Sequence, residues 1–255
     1  MKRDDLTKFL DSVLNLSAFP NDPSNNGLQV EGNCEVRRAC FGVDANLAIV
    51  EHAAAVGADF IFVHHGLSWG GEPRRWTGVT GRRFRKMFEN GISLYAAHLP
   101  LDAQLKFGHN AELMKMAGVT EWSSFCMYHG MTIGCCGELE TPESPDAVAA
   151  KLEKGLISTP QTVIYGDRKK TIRRIGAVSG GGGVDSVEAA IAENLDALII
   201  GDVPHELFWL IAESGLTVIK LGHYASETPG VNAVGKMVAA KFGIQCDFVD
   251  LPTGL

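Results

Sequence analysis

Residues 50–65, VEHAAAVGADFIFVHH, align without a gap on residues 187–202, VEAAIAENLDALIIGD. Each segment is a helical pattern running into an apolar strand that ends in polar residues. Each is followed by a second helical pattern and a second apolar run, ISLYAA in the first copy and LTVIKL in the second. Those runs lead into HLPLD (98–102) and HYASE (223–227), which share the spacing His-x-x-x-acid. A chain that writes one supersecondary phrase twice is expected to fold twice in the same way. Two topologically similar α/β halves, 1–125 and 126–255, are therefore predicted.

The remaining pattern agrees. Apolar runs read as strands in RACFGV, DFIFVHH, ISLYAAHL, MTIGCCGEL, QTVIYG, RIGAVSG, DALIIGD, LTVIKLG and CDFVDL. Helical periodicity lies around 4–15, 46–56, 80–90, 109–117, 145–155, 185–194, 204–214 and 230–242, with Asp4 or Asp5 expected to cap the first helix. Alternation of this kind predicts an α/β protein with mostly parallel strands buried on both faces.

Charge and cysteine usage narrow the function classes. A net charge of -7 gives the chain no global attraction to nucleic acid, and Trp69, Trp76, Trp122 and Trp209 are not interleaved with basic residues. No apolar run approaches the ~20 residues of a membrane-spanning helix, and the opening MKRDDLTKFLDSVLN has no secretory core. Cys34, Cys40, Cys126, Cys135, Cys136 and Cys246 include no CxxC pair and read as reduced thiols. Cys135 and Cys136 face opposite sides of a strand. A cytoplasmic protein is expected.

Functional groups in open α/β sheets gather beyond the carboxyl ends of strands. Here FIFV ends in His64-His65-Gly66, ISLYAA ends before His98 with Asp102 beyond, and LTVIKL ends before Gly222-His223 with Glu227 beyond. A lone histidine at a strand end is usually a hydrogen-bonded rim residue. Adjacent histidines followed by glycine, together with two copies of His-x-x-x-acid, are less easily explained in that way. Mixed imidazole and carboxylate donors suit zinc, manganese, iron or nickel. Carboxylates can bridge two such ions about 3.5–4 Å apart, an arrangement that activates water for hydrolysis.

The segments PNDPSNNGLQVEG, GADFIFVHHGLSW, LYAAHLPLD and GHYASE resemble the dinuclear-metal family of NGG-one-interacting factor three, whose bacterial members are labelled GTP cyclohydrolase one, type two. The resemblance runs from the first helix to the closing FVDLP and matches the short form without an inserted domain. It implies two similar α/β domains with a metal site in the cleft between them, and a ring-shaped homohexamer built as three dimers. It also implies two divalent ions per chain. His65 and Asp102 would hold one, His64 and His223 the other, with Glu227 bridging and His98 close by as a proton-transfer group. Asp202 stands where relatives often carry Glu and is not counted as a ligand.

On this reading the protein is a metal-dependent hydrolase, and the family label points to a purine nucleotide as its small-molecule substrate. The alternatives are a non-catalytic metal-binding, metal-delivery or regulatory scaffold, and a ring that binds DNA through its cavity, which the net charge opposes. Between Arg74 and Lys86 lie six basic residues (Arg74, Arg75, Arg82, Arg83, Arg85, Lys86) and no acidic one. They form either a solvated face or a phosphate site. Glycines 180–183 in SGGGGVDS are expected to make a tight turn rather than an anion site. Asn25, Asn26 and Gln29 are expected in turn or capping roles, with substrate contact as the alternative, and His205 on the surface.

Overall fold

The computed structural model describes residues 1–71 and 75–255. They form two compact units, Met1–Leu101 with Val231–Leu251, and Asp102–Gly230 with Pro252–Leu255. The units therefore do not coincide with the contiguous halves 1–125 and 126–255. The reason is topological: the closing strand returns to the first sheet, and the first unit hands over at the HLPLD helix.

In the first unit α1 (Arg3–Leu14), β1 (Gly27–Val30), β2 (Arg38–Asp44), α2 (Leu47–Ala55), β3 (Phe60–His65), α3 (Gly78–Glu89) and β4 (Ser93–Ala96) follow one another. The closing strand of the chain, β11 (Gln245–Phe248), joins them. The sheet order is β1-β4-β3-β2-β11, and all pairs are parallel except β1 with β4. Alternation along β3 sorts its side chains onto two faces. Phe60 and Phe62 stack with Phe41 and Tyr95 on one face. Ile61 and Val63 join Ile49, Val50, Phe84 and Met87 of α2 and α3 on the other. With both faces covered, the strand reads as an unbroken apolar run. The helix α1 buries Leu6, Leu10 and Leu14, each contributing about 1.5–3 kcal/mol. Its expected carboxylate cap is absent: Lys2 is the N-cap, and Asp4 sits in the first turn holding Arg3, where a negative charge favours the helix dipole.

The second unit begins in α4 (Leu99–Asp102) and continues through α5 (His109–Ala117), β5 (Val119–Tyr128), β6 (Met131–Glu143), α6 (Pro145–Gly155), β7 (Val163–Tyr165) and β8 (Ile172–Val178). Then come α7 (Gly183–Ala192), β9 (Ala197–Ile200), α8 (Phe208–Ser214), β10 (Thr217–Lys220) and α9 (His223–Ser226), before α10 (Thr228–Phe242) leads back to the first unit. The sheet order is β5-β6-β8-β9-β10-β7. Only β8, β9 and β10 are parallel to one another; β5, β6 and β7 pair antiparallel. The expectation of mostly parallel strands is thus met in the first sheet and corrected in the second. Strands β1 and β5 have no counterpart among the apolar runs, because GLQV is too short and VTEWSSFCMY is buried at few positions.

All six cysteines are thiols. Cys135 is buried in the core, whereas Cys136 on the opposite face lies 3.7 Å from Ser123 Oγ. Among the described residues no helix is long and apolar enough to cross a membrane.

Candidate functional site

The predicted ligands fall into two sets, one in each unit. In the first unit β3 ends in the buried His64 and the half-buried His65, and the chain leaving β4 carries His98. A ligand-capable nitrogen of each lies within 4.8 Å of the others. Every one of these rings is fixed through Nδ1. His64 Nδ1 lies 2.9 Å from the carbonyl of Ala97, His65 Nδ1 2.9 Å from Asp44, and His98 Nδ1 2.9 Å from Asp22. Carbonyl and carboxylate oxygens only accept, so Nδ1 must carry a proton, and a metal would be taken at Nε2.

Asp22 is the best-furnished of these partners. Its side chain is fully buried and accepts from the amides of Ser24 and Leu99 and from Asn26 Nδ2 as well as from His98. Burial works to raise its pKa, but the hydrogen bonds from His98, Asn26 and Ser24 outweigh it and hold the carboxyl below its ordinary range. Asn26 Oδ1 in turn accepts the His98 amide at 2.8 Å. Gln29 Oε1 accepts the amides of Leu67 and Ser68 at 2.7 and 3.1 Å. Asn25 Nδ2 donates to Ser68 Oγ and to the carbonyl of Gly70. The segment Asp22–Gln29 is thus a clamp that sets His98 and the loop after His65. Gly66 is required beside it, since a Cβ there would lie 2.4 Å from Gln29 Oε1.

The second unit contributes the carboxylates. His223 opens α9 and Glu227 follows it. His223 Nδ1 lies 2.7 Å from Asp202 Oδ2, and Nε2 lies 3.3 Å from Glu227 Oε1. The hydrogen bond to Glu227 outweighs the opposing effect of burial and, with the charges of Glu227 and Asp202, pushes the His223 pKa up to about 10. Asp202 thus backs His223. Glu227 is buried, and Gly180 (φ +65°) makes room for it: a Cβ at 180 would lie 2.2 Å from Oε1 and 3.3 Å from His223 Nε2. The glycine-rich turn therefore shapes this pocket for a carboxylate. Asp102, also buried, accepts from Ser179 Oγ at 3.2 Å, and Asn110 ties Ser179 to the Asp102 carbonyl.

Sequence reading passed over His109, which is fully buried with a ring nitrogen within 4.8 Å of an Asp102 oxygen. Its Nδ1 accepts from the amide of Gly230 at 3.2 Å, the reverse of the pattern in the other four rings. Nothing in its surroundings in the sequence, FGHNAE, marks it. His205 is exposed in the short turn His205–Leu207, as expected. Of the basic cluster, Arg74 lies outside the described residues. Arg75, Arg82 and Arg85 are exposed.

The model of the Duf34/NIF3 (NGG1p interacting factor 3) family matches residues 1–253. The chain belongs to the Duf34/NIF3 family. Among curated relatives, the "GTP cyclohydrolase 1 type 2 homolog" of Pyrococcus horikoshii is 40% identical over 255 residues, covering 100% of each chain. Among solved structures, TTHA1606 from Thermus thermophilus superposes with a TM-score of 0.86 at 36% identity, over 100% of both chains. The protein ybgI does so with a TM-score of 0.89 at 31% identity, again over 100% of both. The two-sheet α/β architecture is thus that of the NIF3 family.

The donor set fits divalent metal. Histidines that ligate metal donate their other ring N–H to a carboxylate or carbonyl, which fixes the tautomer and raises basicity. His64, His65, His98 and His223 all meet that condition. Buried carboxylates such as Asp102 and Glu227 are otherwise costly unless paired or ligating.

Proposed function

We propose that this NIF3-family protein is a dinuclear metal-dependent hydrolase acting on a purine nucleotide. In this reading His65 and Asp102 hold one divalent ion, His64 and His223 hold the other, and Glu227 serves both. One observation carries it: each predicted ligand imidazole has its Nδ1 against an oxygen acceptor, which directs a metal to Nε2. When bound, a pair of such ions lowers the pKa of a coordinated water and stabilises developing negative charge.

The protein's own groups supply the rest. His98 is held by the ionised Asp22, so it accepts a proton at Nε2 while Asp22 stabilises the imidazolium that results. Ser179 and Asn110 hold the Asp102 segment in place. Support for a nucleotide comes from the name GTP cyclohydrolase carried by the curated relatives, with ring-opening hydrolysis at the base as the reaction. Assembly as a homohexamer of three dimers belongs to the same reading and is checked by light scattering.

The test is reconstitution without oxygen with manganese, iron, zinc or nickel, elemental analysis, and a hydrolysis screen of nucleotides with each form. The expected result is two ions per chain and turnover with at least one metal. A content that never exceeds one ion sinks the dinuclear assignment. Two ions without turnover leave a non-catalytic metal protein.

A further inference from the structure

Beside the histidines of the first unit stands a large aromatic residue that the site as described does not use. Trp69 is 40% exposed. Its ring lies edge-on to His98 with centroids 5.0 Å apart, and 6.1 Å from His65. Its position is fixed three ways. The indole Nε1 donates to the carbonyl of Gly66 at 2.8 Å. Its backbone bridges to Ser24, and Gly70 next to it donates to the carbonyl of Pro23. Gln29 and Asn25 hold Leu67, Ser68 and Gly70 on either side.

A tryptophan held this firmly and left open to solvent is not filling a core. Its N–H is committed within its own loop, so what it offers a ligand is the π face alone. That face accepts a planar, delocalised ring or a cation, and the planar base is the occupant that the nucleotide reading supplies. Because the ring is already immobilised, stacking on it costs no further side-chain ordering. We infer that Trp69 is the stacking platform for a planar heteroaromatic ring, placed to hold the base of the substrate beside His65 and His98. The inference rests on the nucleotide reading above and adds to it the residue that binds the base. Stacking reads a π face and not a hydrogen-bonding edge. Trp69 therefore selects for a ring and leaves the choice among rings to polar neighbours.

The experiment is a fluorescence titration with guanosine and, as a ring-free control, with ribose, on metal-free and metal-loaded protein. Trp76, Trp122 and Trp209 also fluoresce, so the Trp69 signal is the difference between the unaltered protein and Trp69→Phe. Guanosine should quench that signal and ribose should not. Trp69→Leu should weaken guanosine binding by on the order of tenfold, and Trp69→Phe, which keeps a ring, by much less, with metal content unchanged in both. Equal binding by the unaltered protein and Trp69→Leu overturns the platform, as does ribose binding as well as guanosine, or no guanosine binding at all. A Trp69→Leu protein that loses metal reports a structural role for the loop; Trp69→Phe then decides, and tenfold weakening there also overturns the platform. The two readings fail separately. Low metal content with the quench retained defeats the dinuclear assignment alone, guanosine bound equally by the unaltered protein and Trp69→Leu defeats the platform alone, and no guanosine binding defeats the nucleotide reading together with the platform.

Discussion

In the first unit β1, β4, β3 and β2 lie side by side, with β1 antiparallel to its neighbour; in the second, β7, β10, β9 and β8 repeat that order and sense. The likeness extends to single residues. Asp59 accepts the amides of Arg37 and Arg38, and Asp196 accepts those of Arg173 and Arg174. The carbonyls of the same two aspartates receive the amides of Ser93 and Thr217. The divergence begins at the strand ends. Ser93 pairs with Phe60 and Thr217 with Ala197. On that register His98 corresponds to Gly222, and His223 falls one residue later. His98 precedes its short helix, whereas His223 opens its own. The two His-x-x-x-acid spacings are therefore alike in sequence and offset on the shared ladder. One unit became a bank of imidazoles held at Nδ1 by two aspartates and a carbonyl, the other a pair of buried carboxylates beside His109 and His223. A strand ladder fixes where the chain emerges; the residue that emerges there is set by the following turn.

The sharpest way to break this division is to compare Glu227→Gln with His98→Ala. Glu227 is assigned to both ions, so loss of its charge should lower metal affinity by more than about 100-fold, while His98→Ala should stay within about 10–100-fold, the usual range for a group outside the ligand set. Metal titration gives the ranking. The reverse order would make His98 a ligand beside His64 and His65 and overturn its assignment as the proton-transfer group.

The matched aspartates allow a second comparison. Asp59 and Asp196 make the same backbone bonds, but their side chains are 6% and 30% exposed. Removing a buried acceptor strands its donors, whereas water replaces an accessible one. Asp59→Ala should therefore cost about 2 kcal/mol and Asp196→Ala about 1 kcal/mol, read from chemical denaturation midpoints. Equal losses would mean that burial does not separate the two copies.

How much of this was legible in the sequence depends on which interaction fixed each feature. The gapless match of 50–65 on 187–202 gave the repeated ladder, because strands buried on both faces need unbroken apolar runs. The histidines and carboxylates at strand ends could be named because polar residues there have few structural reasons to be present. The clamp could not be foreseen in detail. Asp22, Asn26 and Gln29 act through bonds to residues 38–77 positions away, and local turn chemistry accounts equally well for an Asn-rich segment. The antiparallel hairpin of β5 and β6 was half-seen, since one-sided burial leaves no apolar run in β5.

Proton competition separates the units more finely. With its pKa pushed up from the ordinary 6.5 to about 10, His223 in the metal-free protein is an imidazolium donating to both Asp202 and Glu227. Its contribution to metal-free stability is then fully present below pH about 6.5 and lost as pH rises through about 10. A metal must displace that proton. Affinity at the ion held by His223 should accordingly rise roughly tenfold per pH unit between pH 7 and pH 9. Titrations at several pH values, with proton release followed in weak buffer, measure this. A slope near zero would show that His223 binds no metal.

The smallest expected effect on the fold comes from the basic helix, and the paired units show why. The helix α3 occupies the place in the first unit that α8 occupies in the second, between the second and third parallel strands. The sequence of α3 is GVTGRRFRKMFE, and that of α8, FWLIAES, has no basic residue. The scaffold is thus built once with the charges and once without them. Among the described residues Arg82, Arg83 and Arg85 form no ion pair, and Arg83 Nε is buried without a hydrogen-bond partner. Like charges on one helix repel, and a phosphate group would relieve them through charge-assisted hydrogen bonds. Replacing Arg82 and Arg83 together by Gln should therefore move stability by no more than about 0.5 kcal/mol and leave metal content alone, yet weaken binding of GTP relative to guanosine. Calorimetric titration of the metal-loaded double variant with both ligands decides it. If GTP and guanosine lose affinity equally, or neither changes, the cluster is a solvated face and the asymmetry between α3 and α8 has no role in binding phosphate.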